Sequence, residues 1–341
     1  MKKTLGIGVV GLGNISGYHI RSIKELPKCK FLTVTSRQRE KREKAEHDHK
    51  VKAYSELDDM LKHPDLDAVI ICSPSGYHLE QTQKIAKSGK HVIVEKPLDV
   101  TIKRAKAMID VCRENNVTLS CIFQNRFSDD YQKLYRAVQK EEFGKLILAN
   151  AYIKWFRNKE YYDSSTWKGK FVGEGGAALI NQSIHTIDLM LNTMGKVKNV
   201  FGQIRTLVHE IEGEDLGVGI VEFENGALGT IEGSTSVYQG FPEKLEIHGS
   251  EGSVILEGGK IVHWNSKRRG RKKIEVETGK SGSANPLAIG YELHKKQLDL
   301  IAKALLKGQQ PPVSGDDAIK SIEVIELIYK SSKSGKKIHL L

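Results

Sequence analysis

The sequence predicts an α/β protein in two parts: a doubly wound parallel sheet first, then an α+β domain built on a mostly antiparallel open sheet. Three observations predict it. A glycine-rich turn lies between an apolar run and an amphipathic stretch at the start of the chain. Short apolar runs then alternate with helical stretches to about residue 125. Beyond that point the strands lengthen, alternate polar with apolar residues, and are separated by turn signals such as Glu224-Asn225-Gly226. The change of pattern predicts domains at residues 1–125 and 126–341.

The first element is the run Ile7–Val10, read as a buried parallel strand. Gly11-Leu12-Gly13-Asn14-Ile15-Ser16 follows it, and an amphipathic helix runs from Tyr18 to Leu26. Strand, glycine turn and helix are the context in which this spacing binds a dinucleotide. Gly11 permits the tight turn, and Gly13 lets the backbone approach a pyrophosphate. The helix start at Asn14 and Ile15 offers N–H groups and a partial positive charge. Ser16 replaces the third glycine but is small enough for close helix–strand packing. An ordinary βα turn is the plain alternative.

Lys30–Thr35 alternates into the next strand and ends at Ser36-Arg37. An acidic residue there would hold the ribose hydroxyls of NAD. With Ser36 in its place and Arg37 able to pair with a 2′-phosphate, NADP is favoured over NAD. Arg37 stacked on the adenine is the other reading. Gln38–Lys50 reads as an exposed helix. Asp67–Cys72 is a third strand, ending in the loop Ser73-Pro74-Ser75-Gly76-Tyr77-His78 on the edge where open α/β sheets bind ligands. Helix Leu79–Ser88, strand His91–Val94 with Glu95-Lys96-Pro97 at its end, helix Thr101–Asn115, strand Thr118–Phe123 and the turn Gln124-Asn125-Arg126-Phe127 complete this part.

In the second part Asp130–Lys140 is a helix and Lys145–Lys154 the first long strand. Val197–Val208, Gly217–Glu224, Ala227–Ser236, Lys244–His248, Ser253–Leu256, Lys260–Trp264 and Lys273–Glu277 read as further strands. A helix is expected over Ala177–Met194, and two more, Leu287–Leu306 and Asp316–Ser332, near the end.

Composition excludes several classes. The 341 residues are long enough for two buried cores, and with 39% hydrophobic and 28% charged residues they read as soluble and globular. No apolar run reaches the ~20 residues needed to span a bilayer, so no membrane partner is expected. Met1-Lys2-Lys3 and the run after it imitate a leader but lack a cleavage site. Cys29, Cys72, Cys112 and Cys121 have no paired spacing, which fits reduced thiols in a cytoplasm and no metal. The net charge of +11 has its densest run at Lys267–Lys273, between two strands, where a solvated hairpin accounts for it. There is no aromatic interleaving or recognition helix, so no nucleic acid is expected.

Two stretches carry chemistry. Lys96 ends a buried strand on the cofactor edge, where desolvation and a cationic ring both disfavour its ammonium form and suit it to proton transfer. Gly173–Asp188 makes a glycine loop entering a helix, with Asn181 and His185 four apart on one face and Asp188 placed to fix the His185 tautomer. A surface lysine and a packing histidine are the plain alternatives.

With these motifs in place, the chain resembles the glucose–fructose oxidoreductase / inositol dehydrogenase family, often written Gfo/Idh/MocA, from end to end. The likeness rests on Gly11–Ser16, Ser73–His78, Glu95-Lys96-Pro97, Gln124–Phe127 and the helix start ending in His185 and Asp188. It implies a Rossmann domain, a C-terminal α/β domain whose open sheet serves oligomer contacts (a homo-oligomer, dimer or tetramer), and NAD(P)-dependent oxidation or reduction of sugars and cyclitols. The implied catalytic residues are Lys96, His185 and Asn181. Cofactor contacts are expected at Gly11, Gly13, Asn14, Ile15, Ser36, Arg37, Ser73, Pro74, His78, Glu95, Lys96 and Asn125. Substrate contacts are expected at Arg126, Tyr162, Trp167, Lys168, Asn181 and His185, with Arg157 a further candidate for an anionic group; packing of Tyr161, Tyr162 and Trp167 against the sheet is the plain alternative. Many members carry an aspartate where this chain has Asn181, and an amide cannot accept a proton as a carboxylate does. Tyr161–Lys170 with Asn181–His185 is similar to the branch that oxidises nucleotide-linked sugar uronates and other glycosides at C3.

The expected function is hydride transfer between NADP or NAD and a secondary hydroxyl of a sugar, glycoside, nucleotide-sugar or cyclitol. A redox-neutral enzyme that cleaves glycosides through transient C3 oxidation with retained NAD is an alternative, as is a non-catalytic cofactor-binding protein.

Overall fold

The computed structural model describes residues 3–268, 270–271, 282–283 and 290–340. The chain divides into two compact units, residues 1–124 with 290–319, and residues 125–289 with 320–341. The first break falls one residue from the sequence-based boundary. The return of residues 290–319 to the first unit does not follow the expected division.

The first unit opens with β1 (Leu5–Val10), α1 (Ser16–Glu25), β2 (Cys29–Thr35), α2 (Arg39–His49), β3 (Lys52–Tyr54), α3 (Leu57–Met60), β4 (Ala68–Ile71), α4 (His78–Lys87), β5 (His91–Val94), α5 (Ile102–Glu114) and β6 (Leu119–Cys121). Its six strands pair in parallel in the order β3-β2-β1-β4-β5-β6. Both faces are covered, so the strands read as continuous apolar runs; β1 and β4 are buried at every position. Strand order reverses between β1 and β4, and the carboxyl ends of these two strands make the crevice where such sheets bind ligands. Gly11 follows one and Ser73 the other. A Cβ on Gly11, whose φ is +89°, would lie 3.0 Å from the Cys72 carbonyl carbon and the Ser73 nitrogen, so only glycine lets the two loops close together.

The second unit contains α6 (Asp129–Gln139), β7 (Leu146–Lys154), α7 (Lys159–Asp163), α8 (Phe171–Glu174), a π-helix over Ala178–Ser183, α9 (Ile184–Met194), β8 (Val197–Arg205), β9 (Leu216–Phe223), β10 (Leu228–Ser234), β11 (Lys244–Gly249), β12 (Gly252–Glu257), β13 (Lys260–Ser266) and β14 (Gly270–Arg271). These strands, with β15 (Ile338–His339), form a nine-stranded sheet in the order β14-β13-β12-β11-β7-β10-β9-β8-β15. It is antiparallel except where β10 runs parallel to β7. Gly226, at φ +85°, turns the β9–β10 hairpin as its Asn-Gly signal predicts. Helix α9 and the π-helix cover one face. The other leaves Phe201, Val218, Ile220 and Leu228 exposed. The expected strand at Lys273–Glu277 lies outside the described residues.

Two helices remain, α10 (Glu292–Leu305) and α11 (Gly315–Ser334). Leu298, Ile301 and Ala302 of α10 are buried in one cluster with Ile20 and Ile23 of α1 and Leu26 just after it. This apolar match is why α10 belongs to the first unit rather than to the expected 126–341 domain. All four cysteines are free, and no helix among the described residues is long and apolar enough to cross a membrane.

Candidate active site

In the first unit the loop between β1 and α1 fits a dinucleotide. Gly13 and Asn14 are exposed, and a Cβ built on Gly13 would meet nothing within 4 Å, which leaves room for a pyrophosphate at the helix start. The first turn of α1 holds no acidic residue that would oppose an anion. Ser16 is buried and its hydroxyl donates to the Gly13 carbonyl at 2.6 Å, so the substitute for the third glycine ties the loop down from within. At the end of β2, Arg37 is exposed with its guanidinium 5.4 Å from the Tyr77 ring centre. Sequence reasoning missed Arg42, which donates to the Ser36 and Arg37 carbonyls at 2.8 and 3.0 Å and adds a second cation to this strand end.

Two of the expected cofactor contacts have other partners. His78 is fully buried, with Nδ1 against the Pro97 and Leu98 carbonyls (3.0 and 3.1 Å) and Nε2 against the Ser73 carbonyl (3.1 Å). It joins the loops after β4 and β5 rather than facing a ligand. The same loops are joined again by Asp99, fully buried, which accepts from the Leu79 and Val100 backbone amides and from Arg104 Nε at 2.6 Å. Burial pushes the Asp99 carboxyl up, and Arg104 and the Val100 amide only partly offset this. Ser73 and Pro74 stay half-buried on this loop, with Ser73 Oγ donating to Gln81. Glu95 turns its carboxylate to His19 Nε2 at 2.6 Å, so it too points away from the expected role. Lys96 differs from its neighbours: between Val92 and Val100 it alone is not buried.

In the second unit the expected α-helix over 177–194 begins instead as a π-helix. The wide turn has identifiable causes. Ser183 Oγ donates to the Ala178 carbonyl five residues earlier at 2.7 Å. Glycines let the helix lie close on β9 and β10, since a Cβ on Gly217 would strike Leu179 at 2.6 Å and one on Gly233 would strike Ser183 at 2.5 Å. Glu214, 1% exposed, accepts from the Ala177 and Leu179 amides at 3.1 and 2.8 Å and from the Tyr329 hydroxyl at 2.8 Å. Burial raises the Glu214 carboxyl, and these donors offset part of that rise. π-turns recur at functional sites, where they re-aim side chains. Here the result is specific: from Glu174 to Leu191 every residue is buried except Asn181 and His185. Asn181 Oδ1 accepts from Gln182 Nε2 at 3.1 Å.

The remaining expected substrate residues divide. Arg126 gives Asp188 two parallel hydrogen bonds, 2.7 and 2.6 Å, which tie its guanidinium to α9. Arg157 is 3% exposed and makes five hydrogen bonds, to Gln182 Oε1 twice and to the Phe156, Gly282 and Ser283 carbonyls; it is a structural clip. Tyr162 is buried with its hydroxyl on Thr235 Oγ1 at 2.8 Å, so it packs the unit's interior. Trp167 and Lys168 are half-buried and Asn125 is half-buried on its turn. The Lys168 ammonium sits 3.9 Å from the Tyr161 ring centre and donates to Tyr161 O and Ser164 Oγ; burial pushes it down.

Known proteins resemble both units. Residues 5–123 match the family described as "Oxidoreductase family, NAD-binding Rossmann fold", and residues 131–255 match the "GFO/IDH/MocA C-terminal domain". The chain is similar to scyllo-inositol 2-dehydrogenase (NAD(+)) of Bacillus subtilis (strain 168), 26% identical across 100% of this chain and 97% of the relative. It is also similar to scyllo-inositol 2-dehydrogenase (NADP(+)) IolW of the same organism, 23% identical across 99% and 96%. Among solved structures, the WlbA dehydrogenase from Bordetella pertussis in complex with NADH and UDP-GlcNAcA is 28% identical, with 99% of each chain covered and a TM-score of 0.88.

Proposed function

Because the chain belongs to the GFO/IDH/MocA oxidoreductases, with an NAD-binding Rossmann fold as its first domain, we propose that it passes a hydride between a nicotinamide dinucleotide and a ring secondary hydroxyl of a glycoside or nucleotide-linked sugar. The observation that carries this reading is the pair Asn181 and His185, the two breaks in an otherwise buried stretch. Burial spares two polar side chains four residues apart. The bound nicotinamide supplies the hydride acceptor. Asn181 orients the carbinol, and Lys96 or His185 takes the hydroxyl proton as the hydride leaves.

The preference for a larger substrate over a free polyol rests on Trp167 and Lys168, which present an aromatic face and a cation beside Tyr161. The WlbA relative, with its bound UDP-GlcNAcA, supports the same class. Ser36, Arg37 and Arg42 at the end of β2 support NADP over NAD. The exposed apolar residues Phe201, Val218, Ile220 and Leu228 on the open sheet face support a homo-oligomer.

The test is turnover, followed by the absorbance of the reduced nicotinamide, on nucleotide-linked uronates, alkyl glycosides and free inositols. A higher kcat/KM on a free inositol than on every glycoside would overturn the substrate class. Lys96→Met and His185→Ala, compared across pH, decide which group is the base.

A further inference from the structure

We propose that His19, Glu95 and His294 form a buried positioning unit for Lys96, in which imidazoles hold the Glu95 carboxylate and that carboxylate holds the backbone and the charge of the lysine. This rests on the reading of Lys96 as a proton-transfer group. The three residues come from α1, the end of β5 and α10, and are 0%, 7% and 2% exposed. His19 Nε2 lies 2.6 Å from Glu95 Oε1, and His294 Nε2 lies 3.8 Å from the same oxygen. The other oxygen, Oε2, accepts from the Lys96 backbone amide at 3.3 Å. The His19 and His294 rings meet edge to face, 5.4 Å between centres.

A carboxylate between two imidazoles is also a candidate metal site, and the ligating atoms lie within 4.8 Å of one another. The hydrogen-bonding argues against that use. A metal on Nε2 would leave each imidazole proton on Nδ1, and metal-bound histidines give that proton to an acceptor. Here both Nδ1 atoms are buried without a hydrogen-bond partner. A proton on Nε2 of His19 instead makes the short bond to Glu95 and leaves Nδ1 as a bare lone pair, the less costly group to bury.

The groups that face Glu95 are few. His19 and His294 approach from the two helices, Lys96 adjoins it, and the Cys72 thiol just past β4 is kept protonated by burial and by the Glu95 charge. Cys121 Sγ on β6 reaches the Glu95 carbonyl oxygen at 4.0 Å. Burial alone would drive the Glu95 carboxyl up, yet the hydrogen bond from His19 foremost brings it down to about 2. A carboxylate is therefore present throughout the working pH range, hydrogen-bonded to the backbone of the residue that carries the ammonium.

The experiment is a titration of Lys96 that needs no turnover: lysines are methylated with carbon-13 and followed by NMR across pH, with Lys96→Arg identifying the signal. Glu95→Gln is expected to move the Lys96 midpoint down by about one unit or more, since the ammonium loses its opposite charge. In steady state the same variant is expected to lose roughly 10-fold or more in kcat while the dinucleotide Kd changes less than about threefold. His19→Gln, which keeps an N–H for Glu95, should retain most activity, and His19→Leu should not. If no substrate turns over, the proposed function fails while the titration still decides this proposal. An unchanged Lys96 midpoint in folded Glu95→Gln and His19→Leu overturns it. So does stoichiometric zinc on the purified protein that is lost in His294→Gln.

Discussion

Glu214→Ala is the sharpest test of how the second unit holds its polar pair. The change removes one acceptor from three donors at once: the Ala177 amide, the Leu179 amide and the Tyr329 hydroxyl. Each buried donor left without an acceptor costs about 1–3 kcal/mol, and some relaxation is expected, so the loss is about 3–5 kcal/mol in all. Tyr329→Phe removes a single donor and should cost about 1 kcal/mol. Urea unfolding measures both, with the m-value reporting whether unfolding remains comparable. The same variant should lower kcat, because Asn181 and His185 are aimed by the turn that Glu214 caps. A Glu214→Ala protein within about 1 kcal/mol of the parent, or one that is destabilised but turns over normally, would refute the reasoning: the π-turn would then be held by its packing on Gly217 and Gly233 alone.

Acid should weaken the first unit through His294. Burial holds this imidazole down to about 4 from its ordinary 6.5. The unfolded chain binds the extra proton between those values, so stability is full above about pH 6.5 and falls as pH drops toward 4, by about 3 kcal/mol at the limit. His294→Gln should flatten the urea midpoint against pH over that window. Lys96→Met should cut kcat by roughly 10²–10⁴-fold with little change in dinucleotide Kd, measured by calorimetry. Arg37→Ala should weaken NADP binding and leave NAD binding nearly unchanged; equal weakening of both would mean that Arg37 reads the adenine instead. Tyr162→Phe should cost about 1 kcal/mol through its lost bond to Thr235 and leave KM within about twofold, since that ring packs the interior.

The sequence made some of this legible and hid the rest for physical reasons. The β1–α1 turn could be read because glycine spacing, an apolar run and an amphipathic stretch are adjacent and agree. The long strands β7 to β13 could be read because their alternation persists. The three-residue β3 is too short to show a period, and α7 and α8 are single turns. The π-helix looks α-helical in sequence because nothing in Ala178-Leu179-Ile180-Asn181-Gln182-Ser183 marks a wider turn. Its cause lies in Gly217 and Gly233 on neighbouring strands and in Glu214 just before one of them. Partners far apart were invisible for the same reason. His19 and Glu95 are 76 residues apart and Glu214 and Tyr329 are 115 apart, distances over which no local pattern extends. Arg126, Arg157 and Tyr162 carried the right chemistry for a substrate, and only the geometry revealed that Asp188, Gln182 and Thr235 had already engaged them.

The late arrival of α10 has a consequence for how the chain is made. On the ribosome the six-stranded sheet emerges by Cys121, yet Ile20 and Ile23 on α1 and Leu26 after it wait for Leu298, Ile301 and Ala302 before their cluster closes. At about 5–20 residues per second, the roughly 170 intervening residues take on the order of 10–35 seconds to synthesise. Through that interval the nascent chain displays a sticky helical stripe whose side chains are each worth ~1.5–3 kcal/mol once buried. A nascent-chain chaperone, or the second unit folding while the stripe stays open, has to bridge the wait. A gene truncated at residue 125 would never end it, and its product should partition into aggregates rather than fold as a free dinucleotide-binding domain.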